Sequence, residues 1–365
     1  MSRTFSRRLL AVAAAIVSIG VFLGIIAGVR AQNASQPAAR ETGYAVKKPV
    51  MGGACSVCPW GVESDFVKTV MQSSGYDVQV CHNCAGGPQE VRIVSNAKMP
   101  PALTNPVGPG GIPIPPPPNG PVDFGVTEST YLAWAYQGSH MFKADGPKKD
   151  LRLIGVIQHP SYYLVAVKAD SGITDLSQIK EKGMPVRIIT GVDEAWEDVL
   201  DYYGITKEWV ESHGGHIGVA IRPDVRKDFD VIISGGTLEN VPEWNIWYEA
   251  SQKYDLKYLE LPQDLLAKMA KDWDMQPGTV PLGLLHGMDH PFLTVINAGG
   301  DAVYGRTDMP DDFAYALAKA MDEQQDKLQW TIVNISYNPH TVWKAFDVPL
   351  HPGAARYYKE KGYMK

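Results

Sequence analysis

Val122-Asp123-Phe124-Gly125-Val126 runs directly into Thr127-Glu128-Ser129-Thr130. Asp228-Phe229-Asp230-Val231-Ile232-Ile233 runs directly into Ser234-Gly235-Gly236-Thr237. Each is a short apolar run, the length of a buried strand, whose carboxyl end turns abruptly small and polar. In open α/β sheets ligands bind at the carboxyl ends of the strands. Two such units in one chain predict an α/β protein of two lobes facing a shared cleft.

The chain upstream supports the same class. Tyr44–Val50 leads into Met51-Gly52-Gly53, read as a strand followed by a glycine loop. Pro59 suits the first turn of a helix, and Phe66, Val67, Val70 and Met71 recur at helical spacing until Gly75. Tyr76–Cys81 alternates like a strand. Gly86-Gly87-Pro88 introduces a second helix carrying Val91, Ile93 and Val94. Strand-helix-strand-helix order predicts mixed, mainly parallel sheets flanked by helices. Two apolar runs, 151–167 (broken at Gln158-His159-Pro160) and 291–297, are read as hinge strands crossing between lobes. Lobe 1 is then 43–150 with 298–365, and lobe 2 is 168–290. The stretch 99–121, with Pro115–Pro118, reads as an exposed loop of polyproline character or as a docking segment.

Length and composition agree. The 365 residues suit two domains, 45% hydrophobic residues exclude global disorder, and a net charge of -6 argues against a nucleic-acid partner. Arg3, Arg7 and Arg8 precede an apolar run from Leu9 to Val29, and Ala31 offers a small residue for cleavage. Residues 1–31 therefore read as an export signal or, if uncleaved, as a membrane anchor. Residues 32–42 read as a polar linker. Loss of the leader's four arginines takes the charge from -6 to -10. The expected location is the periplasm, with the inner membrane touched only through an uncleaved leader.

The four cysteines form Cys55-x-x-Cys58 and Cys81-x-x-Cys84. Export favours disulfides, paired either within each motif or between the two. A four-thiolate metal site and a redox-active dithiol are the alternatives. His213-x-x-His216 and His286-x-x-Asp289-His290 sit among glycines in loops, where surface histidines are the commoner reading. Trp60, Trp134, Trp196, Trp244 and Trp247 are aromatic candidates for a cleft, and Trp60 and Trp196 follow candidate ligand loops. No Gly-x-Ser-x-Gly elbow, phosphate-loop lysine or His-Glu-x-x-His occurs, so binding is expected rather than catalysis, with no cofactor.

The end of the chain, Pro349-Leu350-His351-Pro352-Gly353-Ala354-Ala355-Arg356-Tyr357-Tyr358-Lys359-Glu360-Lys361-Gly362, resembles the C-terminal signature of the TAXI family. Its members are the extracytoplasmic solute-binding receptors of tripartite (TRAP) transporters. Three further segments resemble that family in order. They are Val122–Val126 with Ala133-Trp134-Ala135-Tyr136-Gln137-Gly138, Asp175-Leu176 to Gly191, and Asp308–Phe313 with Ala316-Leu317. The resemblance covers residues 44–363. It implies a type II periplasmic-binding-protein fold, a small-molecule ligand in the interlobe cleft, and TRAP-type membrane permease subunits as partners.

The segment Gly191-Val192-Asp193-Glu194-Ala195-Trp196-Glu197-Asp198 departs from the family's glycine- and serine-rich loop. Its carboxylates suit a helix start and repel an anionic ligand. A cationic, metal-bound or neutral ligand therefore stands beside the usual carboxylate. The expected ligand-binding residues are Gly53, Cys55 and Trp60; Gly86 and Gly87; Thr127, Glu128 and Ser129; Thr190, Asp193 and Trp196; and Ser234 with Gly235. Gly86 and Gly87 offer backbone donors at a helix start. The leading expectation is a solute receptor delivering a polar molecule to a TRAP-type transporter. A periplasmic metal- or thiol-handling protein on the same fold is the alternative.

Overall fold

A computed structural model describes residues 43–364 except 57, 83, 101–115, 158–160, 192–193, 220–226, 238–241, 298 and 335. The leader and linker, Asp193 and most of the proline-rich stretch lie outside these residues. Strand β1, Val50–Gly52, is followed by helix α1, Pro59–Met71. Pro59 opens α1 because its fixed φ is helical and its missing N–H would have had no partner there. Phe66, Val67, Val70 and Met71 form the buried face. A 3-10 turn then ends at Gly75, whose φ of +77° is the left-handed conformation that stops a helix. Strand β2, Gln79–Cys81, pairs parallel with β1. Helix α2, Gly87–Ser95, comes next.

Strand β3, Gly125–Glu128, starts later than the sequence indicates. The preceding Val122–Phe124 is buried but outside that ladder, because the Asp123 carboxylate accepts the Val50 N–H at 2.8 Å. Helix α3, Ser129–Gln137, follows without a loop. Strand β4, Leu151–Ile157, and strand β5, Ser161–Lys168, lie on either side of 158–160. Then come α4 (Ser177–Glu181), β6 (Arg187–Thr190), α5 (Ala195–Tyr202), α6 (Lys207–Ser212), β7 (His216–Val219) and β8 (Val231–Thr237). Helix α7 (Pro242–Lys253), β9 (Leu256–Tyr258), α8 (Gln263–Asp272), β10 (Gln276–Val280), β11 (Phe292–Asn297) and β12 (Asp301–Arg306) continue the chain. Helices α9, Asp311–Glu323, and α10, Pro352–Glu360, complete it.

The strands form a β1-β2 pair, a small sheet β3-β12-β4, and a large sheet β10-β11-β5-β8-β6-β7 to which β9 adds against β5. This is an α/β fold of mixed sheets covered by helices. The expectation of mainly parallel sheets needs correction. The β1-β2, β6-β7 and β6-β8 pairs are parallel, but the ladders made by β5, β11 and β12 are antiparallel. The reason lies in the connections. A strand that returns from the other sheet enters against the direction of its neighbours, and local sequence does not encode that direction.

The chain passes from the small sheet to the large one between β4 and β5, and back between β11 and β12. The passages lie side by side, because Ile157 pairs with Asp301 on one side and Ser161 with Asn297 on the other. One apolar cluster runs from Phe124, Ile154 and Val303 to Leu164, Ile189 and Ile232, so buried contact is continuous across them.

The C-terminal signature is structural. His351 caps α10: its Nδ1 accepts the Gly353 N–H at 3.2 Å, and its Nε2 donates to the Met309 carbonyl at 3.0 Å. That pattern requires the neutral ring, and burial pushes its pKa down. Asp322, at the end of α9, is buried. It accepts the Tyr337 and Tyr363 hydroxyls at 3.0 Å on Oδ1 and the Tyr357 hydroxyl at 2.6 Å on Oδ2, with Lys361 Nζ at 3.6 Å.

Candidate functional site

The carboxyl ends of β1, β2 and β3 share one edge, and α1, α2 and α3 begin there. Backbone bonds tie the three loops together: Gly52 N donates to Phe124 O at 2.9 Å, Gly53 N donates to Cys81 O at 3.2 Å, and Ala54 bridges Ala85. The Trp60 ring lies over Gly86. A Cβ added at Gly86 would come 2.7 Å from that ring, so only glycine permits this approach. A Cβ at Gly87 would meet the Tyr131 ring at 3.4 Å. Trp60 Nε1 donates to Asp301 Oδ1 at 2.8 Å, which fixes the indole across 241 residues of sequence.

Polar groups gather at the same edge. Glu90 is wholly buried; its Oε1 accepts the Val126 N–H at 2.9 Å, and its Oε2 has no hydrogen-bond partner. Desolvation raises its pKa well above the usual carboxylate range. The hydroxyls of Thr127, Ser129 and Thr130 are buried and also lack partners among the described residues. Native interiors pair nearly all such atoms, so each orphan needs a reason. A polar ligand supplies one. Glu128, the residue before α3, accepts the Asn297 side-chain amide, whose oxygen takes the Gly299 N–H at 3.1 Å. Ser129 N donates to Gly300 O at 2.9 Å. The return passage is thereby fastened to the start of α3.

On the large sheet, Thr190 ends β6 and is buried, and Gly191 N donates to Ile233 O at 3.0 Å. Ser234 is buried beside Gly235, whose register partner is Tyr163. Trp196, on the first turn of α5, packs partly buried on the second apolar cluster with Val199 and Leu200. The structure therefore places Gly53, Cys55, Trp60, Gly86, Gly87, Thr127, Glu128 and Ser129 on one edge. On the other sheet Thr190 ends β6, whereas Ser234 and Gly235, expected just past a strand end, lie within β8 because that ladder continues to Thr237, and Asp193 is outside the described residues.

Sequence reasoning missed Asp301, Glu90, Asn297 and Tyr131. The glycine pair Gly299-Gly300 just before Asp301 is the one local signal that marks a close approach there.

Trp134 is not a ligand wall. It is buried, stacks on His140 at 4.0 Å and donates to Asp274 Oδ2 at 2.8 Å. Trp273 beside it donates to Asp198 Oδ2 at 2.8 Å. These bonds tie α3 to the end of α8, and the end of α8 to α5. Trp247 is fully buried in the core.

The cysteines pair within their motifs, Cys55 with Cys58 and Cys81 with Cys84. Each closes a loop of only four residues, for which the chain-entropy relation gives about 2 kcal/mol. Cys58 is the residue before α1, so the first pair sits at a helix N-terminus on the rim. His213 stacks on Trp209 at 4.0 Å, His286 bonds Ser251 O at 3.0 Å, and His290 pairs with Asp289 and Glu260. Among the described residues no group of three or more His, Cys, Asp or Glu is placed to hold a metal ion.

Three helix N-termini at one edge attract anions, each worth about 0.3–1 kcal/mol. Here the protein's own carboxyls, Glu90 in the first turn of α2 and Glu128 before α3, already stand at two of them. Two like charges about 4 Å apart near a protein surface repel by about 4 kcal/mol, so an ionised Glu128 outweighs the dipole beside it, whereas Glu90, whose pKa burial raises, adds an acceptor rather than a charge.

The profile of the NMT1-like family matches residues 118–362. Several solved structures are similar to this chain. MatC from Rhodopseudomonas palustris with bound malate superposes with a TM-score of 0.43 at 10% identity, covering 87% of this chain and 97% of that one. The periplasmic binding protein BugD gives 0.44 at 9% identity, covering 87% and 93%. Lactococcal OpuAC, closed on glycine betaine, gives 0.36 at 13% identity, covering 87% and 99%. Likenesses this distant identify no ligand for this chain.

Proposed function

The chain belongs to the NMT1-like family, and on that premise we propose that it is an extracytoplasmic solute-binding receptor. It captures a small polar molecule between lobe 1 (43–150 with 298–365) and lobe 2 (168–290), with 151–167 and 291–297 as the hinge. It hands the solute to membrane permease subunits of the TRAP type, as the TAXI resemblance implies. It acts after export through the leader at 1–31 and does no chemistry on its ligand.

The observation that carries this reading is the set of buried, unpartnered hydroxyls of Thr127, Ser129 and Thr130 at the edge where α1, α2 and α3 begin. Unsatisfied buried donors cost about 1–3 kcal/mol each, and a bound polar solute removes that cost. The two adjacent passages between the sheets supply a bending point for closure.

Native mass spectrometry of the purified protein, together with melting and small-angle scattering, tests the proposal. A co-purifying solute, a rise in Tm on adding it back and a smaller scattering radius are expected. A broad solute screen with no change in Tm or radius, on protein that co-purifies with nothing, sinks it.

A further inference from the structure

We propose that the solute is an organic cation, an ammonium or quaternary ammonium compound, seated on the Trp60 face and countered by Asp301 and Glu128. This rests on the receptor reading above and narrows it to one substrate class.

Segments 52–60, 82–91, 125–142, 188–206, 231–252 and 292–305 carry the starts of α1, α2, α3, α5 and α7 and the passage from β11 into β12. None contains a lysine or arginine, although the chain has 34 such residues. A site for a carboxylate or phosphate ordinarily places a guanidinium or ammonium against it, and these segments offer none.

The carboxylates, in contrast, stand where an anion would bind. Asp301 is buried and bonded to the Trp60 indole, and Glu128 precedes α3 and is held by Asn297. On the other sheet Glu194 precedes α5 and Glu197 lies in its first turn. Burial and repulsion from Glu194, Asp201 and Asp198 raise the Glu197 pKa, as crowded like charges do. Glu90 stays toward its neutral form and supplies a hydrogen-bonding oxygen rather than charge.

Trp60 and Tyr131 add half-buried aromatic rings, both close to Gly87. An aromatic face with carboxylates beside it attracts a soft organic cation through the ring quadrupole and through charge. The orphaned hydroxyls of Thr127, Ser129 and Thr130 are the independent mark of a missing ligand, and they suit its polar substituents.

The experiment measures Tm and Kd of the exported full-length protein with choline, putrescine, malate, glutarate and zinc chloride as probes. Choline or putrescine is expected to raise Tm, and malate and glutarate are not. Choline binding weakens when sodium chloride rises from about 20 to about 500 mM, because salt screens the carboxylates. Asp301→Asn, which keeps an acceptor for the indole, and Trp60→Leu each raise the choline Kd about tenfold or more, a change of about 1.4 kcal/mol. Their circular dichroism and melting without ligand show whether they fold. Stabilisation by malate or glutarate and not by the cations overturns the inference and leaves the receptor reading standing. Stabilisation by zinc alone also overturns it. No response to any probe overturns it as well, and the wider solute screen then decides the receptor reading separately.

Discussion

Two buried carboxyls divide the labour of this molecule. Asp322, between α9 and α10, receives three tyrosine hydroxyls with Lys361 nearby. Glu90, under the edge where α1, α2 and α3 begin, receives one backbone N–H and a long tyrosine bond at 3.5 Å, and one of its oxygens has no partner. A buried charge whose lone pairs are filled anchors structure, whereas a half-satisfied polar cluster destabilises the fold and persists where a function uses it. The difference teaches that the C-terminal face stores stability and that the β1–β3 edge holds unmet hydrogen-bonding capacity.

Asp322→Ala is the strongest test of that division. It strips the acceptor from three buried hydroxyls and is expected to lower stability by about 3 kcal/mol, read by urea unfolding. Solute binding by the folded fraction should stay within about twofold, and a much larger loss of binding would break the comparison.

Removing the rim disulfide by Cys55→Ser with Cys58→Ser is expected to lower stability by about 2 kcal/mol or less, because the closed loop is so short. A loss twice that size would mean that the pair braces the fold as Asp322 does.

His351→Ala removes a helix cap on the structural face and costs about 1 kcal/mol at neutral pH. The sign of its pH effect is fixed by its lowered folded pKa. The unfolded ring takes up a proton first, so native stability falls as pH drops below about 6.5. The variant should lose that part of the slope in denaturation measured between pH 7 and 5.

Glu90→Gln gives the smallest stability change and reverses the sign. The folded carboxyl holds its proton to a higher pH than the unfolded one. Stability from this group is therefore present at low pH and falls as pH rises above about 4.5. The amide keeps an acceptor for Val126 N, should change neutral-pH stability by less than about 1 kcal/mol, and should flatten that fall. A steeper fall in the variant would show that the acid is not the group titrating there.

Much of the fold was legible because its signals are local. The helical spacing of Phe66, Val67, Val70 and Met71, Pro59 at a first turn and Gly75 past the helix end each need only neighbouring residues. The apolar runs Val122–Val126 and Asp228–Ile233 do lead into β3 and β8, but the polar residues read as lying past the strand ends, Thr127-Glu128 and Ser234–Thr237, belong to those strands. Strand direction was not legible. The antiparallel ladders of β5, β11 and β12 arise from the paired passages between sheets, and the apolar pattern of a buried strand is the same in either direction.

By itself, the sequence determined the α/β class, the helix boundaries around the glycines and prolines, and the absence of lysine and arginine from segments 52–60, 82–91 and 125–142 at the β1–β3 edge. These properties are written in composition and short-range spacing. Only the tertiary structure decided that Asp301 holds Trp60, that Glu90 lies beneath the β1–β3 edge with an open oxygen, that each Cys-x-x-Cys closes on itself, and that the C-terminal tyrosines converge on Asp322. Partners far apart in sequence, such as Trp60 and Asp301, meet only once the core has packed, and burial is what turns a carboxyl into either an anchor or an unmet demand for a ligand.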